Sequence, residues 1–175
     1  MTPGLEEIRK AARRIAPYIH HTPVITNASI NRQMDCEIFF KCENFQKAGA
    51  FKSRGACNAI FSLTDEEVER GVATHSSGNH AQALARAASL RDCPAYIVMP
   101  STSSKVKVNA VKEYGGRITF CEPNLASRES TLEEVIKETG ATEIHPYNDY
   151  RIITAQATAA LELMEEIDGF DIIMA

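Results

Sequence analysis

The chain reads as an α/β protein, a three-layer open parallel sheet with helices on both faces. Two observations predict this. Short apolar or β-branched runs at residues 71–74, 95–99, 117–121 and 143–145 have strand length, and helical patterns at 79–90, 104–114 and 125–139 separate them. Strands alternating with helices require right-handed crossovers, which place the strands parallel. No repeat and no low-complexity linker interrupts the alternation.

The elements follow in order. Thr2 is positioned to cap a first helix with Pro3 at its first turn, and Leu5, Ile8, Ala12 and Ile15 share one face. Pro17 and Pro23 then turn the chain into an extended segment. Residues 37–42 form a compact strand candidate, and 54–63 read as helix. Thr64 with Glu67 makes a capping box for a further turn or two. The pattern at 125–139 carries Leu132, Val135 and Ile136 on one face and pairs Glu133 with Lys137 on its surface. Gly140 stops it. The run Asp171, Ile172, Ile173, Met174, Ala175 reads as a buried strand.

Two polar motifs lie where apolar segments give way to helices: Phe51-Lys52-Ser53-Arg54-Gly55-Ala56 and Ser76-Ser77-Gly78-Asn79-His80. The first offers a lysine amine at a helix start. A lysine that forms a Schiff base must be neutral, and the positive end of a helix disfavours an ammonium beside it. The second offers hydroxyls, an amide and unpaired backbone N–H groups, the donors that an anionic carboxylate requires. Together they point to amino-acid chemistry on an aldehyde cofactor. Plainer alternatives stand beside each residue. From the residues alone Lys52 reads first as a solvated lysine at a helix start, the fate of most lysines, while Ser76 and Ser77 read also as capping residues and Asn79 as a turn residue. His80 reads as structural, Phe51 as core, and Arg54 as the partner of a nearby carboxylate.

These motifs belong to a longer pattern. It runs through His21-Thr22-Pro23-Val24, Phe40-Lys41-Cys42-Glu43 and Phe45-Gln46-Lys47 into Phe51-Lys52, then from Thr74 to His80. It continues in Pro94-Ala95-Tyr96-Ile97-Val98-Met99-Pro100, Tyr114-Gly115-Gly116, Cys121-Glu122-Pro123 and His145-Pro146-Tyr147-Asn148-Asp149. The pattern resembles the N-terminal half of the serine racemase and serine/threonine dehydratase family, the fold-type II enzymes that use pyridoxal phosphate. The match covers most of residues 20–165.

The resemblance implies a small α/β domain at 71–148, with 1–70 and 149–175 as the beginning and an incomplete continuation of a larger domain. It implies pyridoxal 5'-phosphate held by Lys52 as a Schiff base, with Phe51 beside the cofactor and Asn79 against its phenolic oxygen. Ser76, Ser77, Gly78, Asn79 and His80 are implied as the substrate-carboxylate loop, and Ser77 as the acid/base on the face opposite Lys52. The implied reaction is dehydration or racemisation of serine, threonine or 3-hydroxyaspartate, in a homodimer. In the family a glycine-rich loop holds the cofactor phosphate after a strand like 171–175, and no such loop follows here. That motivates two expectations: segment 149–175 packs against a partner or is loosely held, and the 175-residue chain alone turns over no amino acid at a useful rate. Ala50 stands where relatives often have serine, and Ala155 and Ala157 flank Gln156 where they often have glycine.

Composition narrows the classes. A net charge of −4 with interspersed signs offers no basic stripe for nucleic acid and no block suited to anionic membrane. No apolar stretch is long enough to span a bilayer, and the sequence after Met1 is not a secretory signal. Cys36, Cys42, Cys57, Cys93 and Cys121 are scattered, without a C-x-x-C pair, which fits a reduced cytoplasmic setting and disfavours zinc. A second function class remains: a non-catalytic α/β fragment that binds small anions or awaits a complementary chain. A Rossmann nucleotide module is disfavoured, since no G-x-G-x-x-G follows a strand.

Overall fold

A four-stranded parallel sheet organises the computed structural model, which describes residues 2–175. Its strands are β3 (Val72–His75), β4 (Ala95–Pro100), β5 (Arg117–Cys121) and β6 (Thr142–Glu143), in the order β5-β4-β3-β6. The register pairs Val72 with Ala95 and with Thr142, and Ile97 with Ile118. Before the sheet come α1 (Leu5–Ile15), β1 (Val24–Thr26), α2 (Ala28–Met34), β2 (Phe39–Lys41), α3 (Lys52–Phe61) and α4 (Asp65–Arg70). Strands β1 and β2 form a separate antiparallel pair. Helices α5 (Asn79–Ser89), α6 (Lys105–Glu113) and α7 (Leu125–Thr139) are the crossovers, and α8 (Tyr150–Gln156) and α9 (Thr158–Glu166) follow β6.

Period-two alternation divides the sheet into two apolar faces. Val72, Ile97 and Met99 pack with Ala81, Leu84 and Ala88 of α5 and with Val111 of α6. Ala73 and Val98 point the other way, onto Leu132 and Val135 of α7. Helices therefore cover both faces, as the sequence predicts. Helix α7 ends where expected, because Gly140 adopts φ 70° and donates its N–H to Ile136 O. The Thr64–Glu67 capping box at α4 also forms.

Several boundaries differ from the sequence reading. Helix α1 is capped by Gly4 and not Thr2, because the Glu7 carboxylate reaches back to accept the Gly4 N–H at 2.8 Å. Leu5 is exposed, and Ala11 joins Ile15 in the core instead. Helix α3 begins at Lys52, two residues before its expected start. Strand β6 stops at Glu143 because the Ile144 carbonyl turns to the ring of His80.

The run 171–175 is not a buried strand. It lies exposed, with Met174 90% accessible. A strand needs a neighbour for its N–H and C=O groups, and none of the described residues pairs with it. Segment 149–175 is otherwise better held than expected, since Ile152 and Ala155 are buried in the core with α3.

Helix α3 is buried on all sides between Ser53 and Ile60, so its neighbours must satisfy everything it carries. Gly55 permits the approach of α8, since a Cβ there would lie 2.7 Å from Gln156 Nε2. Arg54 is fully buried and donates to two carboxylates. Its Nε and Nη2 reach Glu43 at 2.8 and 2.7 Å, and its Nη1 and Nη2 reach Glu162 of α9 at 2.6 and 2.8 Å. Lys41 joins Glu162 at 2.9 Å and Glu166 at 2.8 Å. Burial opposes the arginine's charge, but the two carboxylates outweigh it and hold its pKa above the ordinary value.

Removing Glu162 leaves the buried Arg54 charge compensated by Glu43 alone and its Nη1 without a carboxylate. Glu162→Ala is expected to lower unfolding stability by about 3 kcal/mol, read as a shift in urea midpoint at neutral pH. Burial works to raise the Glu162 pKa, but hydrogen bonds from Arg54 and Lys41 prevail and lower it below 4.5. Its contribution is therefore present above the ordinary carboxylate range and lost as pH falls through the folded value. The wild-type and variant midpoints should accordingly converge in acid.

Candidate active site

The crevice at the C-terminal ends of the parallel strands gathers most of the residues singled out in the sequence, which is where open α/β sheets bind ligands. Strand β3 ends at His75, the loop Ser76-Ser77-Gly78 follows, and α5 opens at Asn79. Gly78 is the N-cap and supplies no side-chain acceptor, so the first-turn N–H groups of α5 stay available to an anion. A Cβ added at Gly78 would meet nothing within 4 Å, so the space above the loop is open. Ser76 Oγ accepts the Gly78 N–H at 3.3 Å, which folds the loop on itself.

Lys52 sits at the first position of α3, where the helix dipole disfavours an ammonium. Its Nζ donates to the Pro146 carbonyl at 2.8 Å and lies 5.1 Å from the centroid of the Phe51 ring. Partial burial lowers its pKa. Phe51 is 43% exposed and so is not core. Asn79 is also exposed.

His80 is buried, with Nε2 3.2 Å from the Ile144 carbonyl and Nδ1 unpartnered. Burial first, then the charges of Lys52 and His145, push its pKa down to about 4 against the pull of Ile144. It is therefore neutral at pH 7. The loop after β6 receives both bases, Lys52 on Pro146 and His80 on Ile144.

Ser77 faces a different group. It lines a cleft of about 200 Å³ with Thr102, Ser103, Ser104, Lys107 and Arg128. The Oγ of Ser103 and the Nε of Arg128 are buried there without a hydrogen-bond partner. Ser104 caps α6 without a side-chain bond, leaving another helix N-terminus open to this cleft. Thus the structure brings Lys52 and His80 together at the 144–146 loop, sets the Phe51 ring beside Lys52, and places Ser77 against a basic, hydroxyl-lined cleft. Among the described residues, no hydrogen bond links Lys52 to Ser76, Ser77 or Asn79.

Sequence reasoning assigned no role to His75, Lys107, Arg128 or His145, although His75 and His145 lie within the matching runs. The His75 and His145 rings meet edge to face at 5.9 Å, and burial followed by His145 lowers the His75 pKa. Arg128 lies within α7, and no local pattern marks it. Arg54, by contrast, pairs with carboxylates as its plainer reading expected.

Residues 15–175 match the family described as pyridoxal-phosphate dependent enzyme. The chain belongs to that family. It is 50% identical over 173 residues to the β-hydroxyaspartate dehydratase of Paracoccus denitrificans, a match spanning 99% of this chain and 55% of that protein. It is 48% identical to the serine racemase of Dictyostelium discoideum over 99% of the chain and 53% of the relative. The crystal structure of the Dictyostelium enzyme superposes with a TM-score of 0.93, covering 98% of this chain and 56% of that one. The T.th. threonine deaminase is 35% identical with a TM-score of 0.87, over 94% of this chain and 52% of that one. The chain thus spans about half the length of the relatives it matches, and its fold is that of the fold-type II pyridoxal-phosphate enzymes. Among the described residues, no helix is long and apolar enough to cross a membrane.

The neutral burial of His80 makes stability depend on pH. An unfolded histidine titrates at 6.5 and the folded one at about 4, so the unfolded state binds more protons between these values. Stability should therefore fall by roughly 3 kcal/mol as pH drops from 6.5 to 4. His80→Gln is expected to flatten that part of the profile. Urea midpoints at pH 7 and pH 4.5 for both proteins check this, and parallel profiles would refute it.

Proposed function

We propose that the chain carries the lysine and carboxylate-binding half of an enzyme that dehydrates or racemises a small β-hydroxy amino acid with pyridoxal phosphate. The observation that carries the reading is the half-buried Lys52 amine of lowered basicity, set at a helix start beside an exposed aromatic ring. These residues fit the cofactor. An amine must be neutral to bond the aldehyde carbon, and both burial and the α3 N-terminus favour neutrality. Phe51 offers an exposed ring face, Asn79 an amide donor, and the space over Gly78 is open.

Roles follow for the chain's own residues. Lys52 would hold the cofactor through Nζ, with Phe51 and Asn79 as further cofactor-binding residues. When bound, pyridoxal phosphate supplies an electron sink for the pair left on the substrate Cα. The Ser76–Asn79 loop and the first N–H groups of α5 hold the substrate α-carboxylate, with His80 supporting the loop from beneath. With the cofactor bound, the Lys52 Nζ would be the base that takes the substrate Cα proton. Loss of the β-hydroxyl as water then leads, after hydrolysis, to a 2-oxo acid and ammonia. Return of a proton to the opposite face by Ser77 Oγ gives the inverted amino acid instead.

The cleft beyond Ser77 bears on the substrate. Arg128, Lys107 and the open end of α6 form a second anion-binding surface next to the carboxylate loop. This favours a substrate with a second carboxylate, such as 3-hydroxyaspartate, over serine or threonine.

Borohydride reduction of the chain with pyridoxal phosphate, followed by peptide mapping, tests the reading. The adduct is expected on Lys52 and not on Lys41 or Lys47. An even spread over surface lysines would sink it. In a protein of the relatives' full length, Ser77→Ala should abolish racemisation while sparing much of the dehydration. An equal loss of both would make Ser77 a carboxylate binder only. Arg128→Met should raise KM for 3-hydroxyaspartate roughly 10- to 100-fold and leave that for serine near wild type, as expected for losing one charge-assisted hydrogen bond.

A further inference from the structure

We propose that His145 is a positioning residue for Lys52, closing the turn that aims the Pro146 carbonyl at the lysine amine. The inference rests on the reading of Lys52 as the cofactor-bearing lysine, but its geometry is independent of the cofactor. The His145 Nδ1 accepts two backbone N–H groups, from Tyr147 at 3.3 Å and Asn148 at 2.9 Å. A side-chain acceptor that binds the N–H groups two and three residues ahead closes a tight turn, as aspartate and asparagine do. Because Nδ1 accepts, the neutral ring carries its proton on Nε2. The ring is held on two sides, 5.9 Å from His75 and 4.5 Å from Tyr147, in edge-to-face contacts.

Pro146 lies inside that turn, and its carbonyl receives the Lys52 Nζ hydrogen bond. The next helix is capped independently, since Asp149 accepts the Arg151 N–H at 2.8 Å. The orientation of the Pro146 carbonyl therefore depends on the 145–148 turn and not on α8. Other titratable groups at this corner are His75 on β3, His80 on α5, and Glu143, Tyr147 and Asp149 around the turn, with Arg128 and Glu129 of α7 behind His75. Among the described residues none forms an ion pair with Lys52, which leaves the carbonyl as its hydrogen-bond acceptor. The carbonyl fixes where the amine rests when it is not bonded to cofactor. It also favours the ammonium, the stronger donor, and so moderates the loss of basicity that burial imposes.

Competitive labelling of Lys52 with acetic anhydride across pH, read by mass spectrometry on the 175-residue chain without cofactor, tests the inference. His145→Phe keeps a ring between His75 and Tyr147 but removes the acceptor. The Lys52 labelling midpoint should fall by about one pH unit, a tenfold rise in neutral amine below the midpoint. Hydrogen exchange at Tyr147 and Asn148 should speed up at least tenfold, while Lys41, which is held by Glu162 and Glu166, should label as in wild type. His145→Asn, whose Oδ1 closes the same kind of turn, should restore the wild-type midpoint. His145→Leu is read in the same way should the phenylalanine variant unfold. An unchanged or raised midpoint in the variants lacking the acceptor, or no restoration by asparagine, overturns the inference. Because no cofactor is present, this result is separate from the borohydride experiment, whose failure would instead overturn the role of Lys52.

Discussion

The buried guanidinium of Arg54 is the constraint on which the arrangement depends. A charge removed from water is strongly destabilising unless its donors are all met, and here two carboxylates from distant parts of the chain meet them. Glu43 comes from the segment after β2, and Glu162 from α9. Lys41 then ties Glu162 to Glu166 and donates to the Thr22 carbonyl, while Thr22 donates to Glu43. The network joins the first fifty residues to the last helix through α3. Lys52 stands two residues from Arg54 on that helix, so the anchor that holds the scaffold also sets the origin of the Lys52 amine.

From that origin the site is assembled by the geometry of a parallel sheet. Each strand delivers its C-terminal end, and each crossover helix its N-terminus, to the same edge. Hence β3 leads into the serine loop and α5, while β4 leads into the hydroxyl-rich turn before α6. The loop after β6 returns beneath α5, where Ile144 and Pro146 take hydrogen bonds from His80 and Lys52. Burial is the common electrostatic theme. It is the leading cause of the lowered basicity of Lys52, His75 and His80, so the crevice disfavours positive charge on these nitrogen bases. Positive charge is kept on the far side of Ser77, at Lys107 and Arg128.

Specific residues show how far local chemistry carried the fold. Gly140, Thr64 with Glu67, and the β-branched run at 117–121 marked boundaries through rules of φ, capping and periodicity that act within a few residues, and the structure follows them. Where a distant group intervened, the local reading moved. His80 took the Ile144 carbonyl and shortened β6, and the Glu7 carboxylate drew the start of α1 to Gly4. The apolar run 171–175 has a strand's composition but no paired neighbour.

By itself the sequence determined the parallel α/β class, the crossover helices, the family, and the two motifs around Lys52 and Ser77, because each is written in contiguous residues. Only the tertiary structure decided what those motifs face. Arg128 reaches the Ser77 cleft from the first turn of α7, and Pro146 offers its carbonyl to a lysine almost a hundred residues earlier. His145 closes a turn that composition does not reveal, and Arg54 turns away from the crevice into a buried cage of carboxylates. Such pairings depend on through-space distance and shared burial, which leave no period, spacing or composition along the chain.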